Sequence, residues 1–263
     1  MRSLKVLKGA VFPIFILIIW LLSSRHSTNN LIPAPNEVIN AISNLWARGE
    51  IQKHVSISLI RVLKGFGWAA IIGVPLGLCF GVFTKFRLWL MPTLHFLRQI
   101  PPIAWIPLFL IWFGIGEGSK SAVIFYAAFF PVLLNSLLGI EQIPRRFWEV
   151  GKVLEFDYLK FLWRLVLPAS LPSIMAGLRL GMSMSWRALV AAEMIAATSG
   201  LGYLIMSARS LVRMDEMVVG ILLIGLIGIL IDAFFIWLER FLAPWNKETL
   251  GVGENERSIA SSG

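Results

Sequence analysis

Few residues in this chain of 263 could do chemistry, and the best placed are Arg179, Ser183, Arg187 and Glu193. They interrupt an apolar run, and at 100° per residue they share an arc of roughly 120° on one helix. Ionisable groups inside a membrane cost a few kcal/mol each, so they face a pore, a partner or one another. Two readings follow. Either Arg187, with Arg179, lines a route for an anion that Glu193 balances or gates, or the set holds helices together, with Arg179 snorkelling toward the near membrane face. Asp232, inside another apolar run, is read as an interhelical partner.

Other chemistry is excluded more simply. His26, His54 and His95 are too far apart for a local metal motif, and neither HExxH nor CxxC occurs. The one cysteine, Cys79, forms no internal disulfide. Residues 114–121, Gly-Ile-Gly-Glu-Gly-Ser-Lys-Ser, approach a phosphate-binding loop, but Ser119 stands where Gly must precede the Lys. Their flanks read as membrane helices, so they are assigned to a tight turn. A membrane-embedded enzyme would need clustered His or carboxylates on facing helices, and none is apparent. No catalytic residue, metal or cofactor is expected in the chain.

The elements that position these residues follow from composition. The chain is 57% hydrophobic and 15% charged, with a mean hydropathy of +0.76, too oily for a soluble globule of this size. The pattern predicts an all-α polytopic membrane protein of about six transmembrane helices, over residues 10–22, 65–83, 100–113, 122–140, 173–197 and 217–238. The first could instead be a cleaved signal peptide, but no small-x-small site precedes Arg25. Residues 1–64 are read as the first transmembrane helix and an external loop with short helices. Residues 65–245 form the core, with a loop at 141–172, and residues 246–263 a polar, disordered tail. Gly65, Ala69, Gly73, Gly77 and Gly81 make a stripe of small residues that admits a close neighbour. Pro101, Pro102 and Pro107 break or tilt the third span. Residues 198–216 read as an external re-entrant or surface helix.

The net charge of +9 does not point to nucleic acid, because Lys and Arg are scattered between spans. With the N-terminus in the cytoplasm, the inner segments carry 14 Lys and Arg and the outer ones 8. That bias favours both termini and the 141–172 loop in the cytoplasm of a multi-pass membrane protein.

Residues 145–172 are the long amphipathic stretch. Glu149, Lys152, Glu155, Asp157, Lys160 and Arg164 alternate at near-helical spacing with Phe147, Trp148, Val150, Val153, Leu154, Phe156, Leu159, Phe161 and Leu162, and Pro168 and Pro172 are expected to end the segment. A helix fixed between two spans, with a mixed apolar and charged face, suits docking of a soluble partner in a groove. The alternative is a helix that lies on the headgroups.

Glu149, then Glu155 six residues on, then Leu167-Pro168 resemble the EAA loop of permease subunits of ABC importers, which docks the ATPase subunit. Val150 and Gly151 replace the two alanines of that loop, and Glu155 stands at its glycine. Gly allows a left-handed turn there that Glu would strain, so a redrawn turn is expected, with Asp157 capping the second helix. Residues 59–66, 98–117, 189–194 and 200–203 are similar to the permeases of the sulfonate, taurine and nitrate group. The resemblance spans about residues 30 to 245. It implies a type I ABC importer permease fold working as a homodimer, with two cytoplasmic ABC ATPase subunits that bind ATP and Mg and an external solute-binding protein. Trp148, Glu149, Val150, Gly151, Leu154, Glu155, Phe156, Leu167 and Pro168 become the ATPase-coupling residues. Arg187, Glu193, Arg179 and Ser183 become those of the substrate pathway. Aliphatic sulfonate is the first choice of cargo, with taurine, nitrate, bicarbonate or an aromatic acid as alternatives. A stand-alone secondary transporter of a small anion is the competing reading, but it gives no reason for a docking helix.

Overall fold

The computed structural model describes residues 32–153 and 156–244, together with residues 15, 19–22 and 24. Every regular element among them is helical. In chain order they are α1 (Pro35–Ala47), α2 (Glu50–Val82), α3 (Thr84–Gln99), a 3-10 turn (Pro102–Trp105) leading into α4 (Ile106–Phe113), α5 (Glu117–Glu141), α6 (Arg145–Val153), α7 (Tyr158–Phe161), a π turn (Leu162–Val166), α8 (Leu167–Ala196), α9 (Leu201–Ser210) and α10 (Met214–Leu242). Four stretches are long and apolar enough to cross a membrane: Glu50–Val82, Glu117–Glu141, Leu162–Ala196 and Met214–Leu242. A bent pair, Arg87–Gln99 with Pro102–Phe113 at 89°, adds a fifth. The expected first span, residues 10–22, lies mostly outside the described residues, as does the tail.

Two expectations need correction. Residues 50–64 are not loop, because α2 starts at Glu50. Lys53, Arg61 and Lys64 break the apolar pattern in sequence, but Arg61 is buried and paired, so its charge does not stop the helix. Residues 84–99, left between two expected spans, are the whole of α3. Pro168 and Pro172 do not end a helix. Pro168 follows directly on the π turn at 162–166, within one continuous helical stretch from Leu162 to Ala196, and Pro172 lies further inside it.

The chain divides into two compact units, residues 1–59 with 193–226 and residues 60–192 with 227–263. In the first, Val38, Ala41 and Leu45 recur on one face of α1 and form a core with Ile51, Leu204 and Val219. Pro35 starts α1 and the Glu37 carboxylate accepts from the Ala34 N–H at 2.8 Å.

The second unit is organised around α5, the most enclosed of the spans. A Cβ at Gly65 would stand 2.6 Å from Ile124, one at Gly73 3.1 Å from Val132, and one at Gly81 2.7 Å from Ile140. The constant step between partners means that α2 runs parallel to α5, backbone against backbone, along the small-residue stripe. On an adjoining face Gly177 meets Asn135 and Gly181 meets Val132, so α8 runs antiparallel to α5 and almost as close. The α3 helix is also antiparallel to α5. Arg87 pairs with Glu141, Leu90, Met91 and Leu94 pack on Leu133 and Leu137, and the Tyr126 hydroxyl donates to the Leu97 carbonyl. Ile71, Ile229, Leu230 and Trp237 are exposed apolar residues on span helices, as lipid contact allows.

Candidate functional site

The structure separates the four residues that sequence spacing groups on one helix face. Arg179 donates from Nε and Nη2 to the two carboxylate oxygens of Asp232, at 2.6 and 2.8 Å. This bidentate pair ties α8 to α10, the structural role weighed for both residues. Arg187 is exposed and, among the described residues, makes no hydrogen bond or ion pair; Ser183 is half-buried one turn earlier.

Glu193 is 1% exposed and belongs to a network in the first unit. The Ser58 hydroxyl donates to its carboxylate, 2.8 and 2.9 Å from the two oxygens, and the Gly202 N–H donates at 3.0 Å. Ser58 Oγ accepts from the Leu201 N–H at 2.9 Å, and His54 Nδ1 accepts from the Gly200 N–H at 3.0 Å. These N–H groups open α9, where no intrahelical acceptor exists, so side chains from α2 and α8 fulfil that need. A carboxylate there also meets the positive end of the helix. Gly200 has φ +112°, and a Cβ on it would overlap the Glu193 carboxyl. Glycine is therefore required both for the backbone conformation and for the close approach. Neither His54 nor Ser58 was legible as part of this network, because their partners lie about 140 residues away in sequence.

A second cluster was also missed. Glu117 accepts from Arg61 Nε at 2.7 Å and Nη2 at 2.6 Å, and from Lys120 Nζ at 3.1 Å. Arg61 and Lys120 are buried, not loop residues as the charge count assumed. The only signal in sequence was the family likeness, since Arg61 and Glu117 lie in two of the similar stretches, and Glu193 and Gly202 in two others.

The 145–172 stretch holds α6, α7, the π turn and the start of α8. Trp148 and Phe161 pack ring to ring, centroids 5.0 Å apart, against a core of Ile140, Ile143, Leu165 and Val166 at the base of the spans. Gly151 is buried beneath the Phe161 ring, which a Cβ would overlap. The Gly151 carbonyl accepts from the Phe156 N–H at 3.1 Å, closing the turn, and the Asp157 carbonyl accepts from the Phe161 N–H at 2.8 Å. Leu154 and Glu155 lie outside the described residues, as does the side chain of Val150. Leu167 and Pro168 open α8. Not all of the apolar face is used inward: Phe147 is exposed under the Arg146 guanidinium, and Val153 is 81% exposed beside exposed Arg145 and Glu149. A cavity of about 740 Å³ opens at the foot of α6 between Ile143, Phe147, Arg164 and Pro172.

Comparison with known proteins fits this anatomy. Solved structures of the methionine ABC transporter MetNI in inward-facing conformations share the fold. One chain matches with a TM-score of 0.63 at 16% identity, over 70% of this chain and 92% of that one. A Bacillus subtilis protein described as an aliphatic sulfonates transport permease is 35% identical over 93% of this chain and 90% of its own length. The taurine transport system permease protein of Escherichia coli is 34% identical over 82% of this chain and 81% of its own. The nitrate import permease protein of Synechocystis is 32% identical over 92% and 91%. Residues 69–248, from within the small-residue stripe through the 145–172 stretch to just beyond α10, match the family described as binding-protein-dependent transport system inner membrane component. The chain is a multi-pass permease belonging to that family.

Proposed function

We propose that this chain is the transmembrane permease subunit of an ATP-driven importer of a small organic anion, with an aliphatic sulfonate as first cargo. Two copies pair with two cytoplasmic ATPase subunits, which bind the ATP and Mg, and an external solute-binding protein delivers the cargo. The chain itself is no enzyme. The observation that carries the reading is the state of α6: it is pinned to the base of the spans by Trp148, yet Phe147, Val153, Arg145 and Glu149 are exposed. A rigidly held surface of mixed apolar and charged residues suits a groove on a soluble partner. With α2 starting at Glu50, Lys53, Arg61 and Lys64 leave the outer loop. They stay near the start of α2, and the count of Lys and Arg still favours the side of α6 as the cytoplasmic one, with the termini on that side. Arg187, exposed on α8 with Ser183 a turn away, is the pathway residue in this reading. Arg179 and Glu193 support the route by holding helices.

Co-expression with the cognate ATPase and reconstitution with the binding protein test the proposal. Wild-type chain is expected to co-purify with the ATPase and to take up alkanesulfonate only with ATP. Arg187→Leu is expected to abolish uptake while leaving membrane level and ATPase co-purification intact. Proton-gradient-driven uptake by the chain alone would overturn the reading in favour of a secondary transporter.

A further inference from the structure

The bend between α3 and α4 opens a cavity of about 400 Å³ against the middle turns of α5 and α8. Its depth can be read from the packing. Glu141 pairs with Arg87 at one end of α5, and Leu97 lies level with Tyr126. The fifteen residues from Tyr126 to Glu141 span about 22 Å at the helical rise. Arg98 is thus carried well along the span, away from the end marked by Arg87 and Glu141. Irregular backbone at that depth is tolerated where it lines a water-filled or ligand-filled cavity. Residues 100–102 form such a break, with Ile100 extended and two prolines following.

The lining is chemically divided. Arg98, Gln99 and Asn135 bring a guanidinium and two carboxamides. Arg98 makes no hydrogen bond or ion pair among the described residues, and Asn135 spends only its Nδ2, donated to the Pro131 carbonyl at 2.8 Å. Phe130, Leu134, Leu180 and Met184 supply an apolar wall. An unpaired cation at membrane depth needs an anion, and the wall rewards a partner that also carries a hydrocarbon body. Leu180, Met184 and Arg187 fall at i, i+4 and i+7 on α8, so the wall continues along one helix face to Arg187.

We propose that this cavity is a binding site for a small amphiphilic anion, its acid head on Arg98 and Gln99 and its hydrocarbon tail against Phe130, Leu180 and Met184. This rests on the transport reading and sharpens it: the site favours an organic sulfonate or carboxylate over a bare inorganic anion such as nitrate, which would leave the wall unfilled.

The test is calorimetric titration of the permease–ATPase complex in nanodiscs, without binding protein, using hexanesulfonate, ethanesulfonate and nitrate as probes. Hexanesulfonate is expected to bind tightest. Arg98→Gln should weaken it about tenfold and Arg98→Lys restore most of that loss, whereas Leu180→Trp, which fills the wall, should cost hexanesulfonate about tenfold and ethanesulfonate about twofold or less. Equal affinity of Arg98→Gln, Leu180→Trp and wild type for hexanesulfonate, or wild-type binding of nitrate as tight as hexanesulfonate, would overturn the site. ATP-driven uptake by the complete wild-type system is measured in parallel. Uptake with unaltered variant binding sinks only this inference, and absence of uptake of all three probes sinks the transport reading beneath it.

Discussion

Truncating Glu193 to Ala should be among the most damaging single changes in the first unit. The carboxylate accepts from Ser58 and from the Gly202 N–H inside a site that is 1% exposed. Alanine leaves two buried donors without an acceptor, each costing about 1–3 kcal/mol. Interhelical hydrogen bonds in membranes measure toward the low end, so about 3 kcal/mol in total is a fair expectation. For a chain of this size each kcal/mol moves the midpoint by about 2–4 °C, which gives a loss of about 6–12 °C. Glu193→Gln keeps one acceptor oxygen but turns an amide donor toward Ser58 Oγ, which already accepts from the Leu201 N–H. It should lose about half as much. The assay is thermal unfolding of detergent-purified chain at a fixed scan rate, because unfolding of such proteins is irreversible. A Glu193→Ala midpoint within about 2 °C of wild type would refute the view that this network holds the start of α9. Glu193→Gln uptake measured beside it separates the two roles: abolished transport with a small stability loss would return Glu193 to a gating part in the route.

Two further outcomes follow from the same packing. Gly151→Val should drive the Phe161 ring off the turn between α6 and α7 and reduce ATPase co-purification about tenfold; Phe161→Ala in the same chain should restore part of it, and wild-type recovery of ATPase with Gly151→Val alone would refute the role of this contact. Arg179→Gln and Asp232→Asn should each lower the unfolding midpoint by about 2–4 °C, for about 1 kcal/mol from a half-exposed pair. The double variant should lose no more than either single one, whereas additive losses would mean the two residues act separately.

How much of this was legible in the sequence depended on whether the signal was local. The stripe from Gly65 to Gly81 announces a close neighbour, and Gly73 and Gly81 do abut α5. The prolines at 101, 102 and 107 announce a broken span, and the pair of helices there bends by 89°. The α3 helix was illegible because Lys85, Arg87, Pro92 and Arg98 dilute its apolar residues. It stands on tertiary packing of Leu90, Met91 and Leu94 against α5, which no window of sequence contains. Arg61 misled for a related reason. Charge marks loops only when it is solvated, and this guanidinium is neutralised by Glu117 from another helix. At the candidate sites, spacing grouped Arg179, Arg187 and Glu193 correctly on one helix but could not say which of them another chain segment had already claimed.

Those claims leave α5 as the shared ruler of the second unit. Glu117 at one end of it holds Arg61 and Lys120, and Glu141 at the other holds Arg87. Tyr126, Phe130 and Asn135 between them face the cavity at the α3–α4 bend. Ile140 near the Glu141 end shares a core with Ile143, Leu165 and Val166, on which Trp148 of α6 rests. Glycines bring α2 and α8 against it with almost no side chain between the backbones, and close-packed surfaces of that kind shift as bodies rather than absorb a displacement locally. A push on α6 therefore reaches Ile140 and Ile143 through one layer of packed rings. Because α5 is one helix from Glu117 to Glu141, with Pro131 inside it, a push of that kind in the proposed cycle would also act on the wall that Phe130 and Asn135 give the cavity.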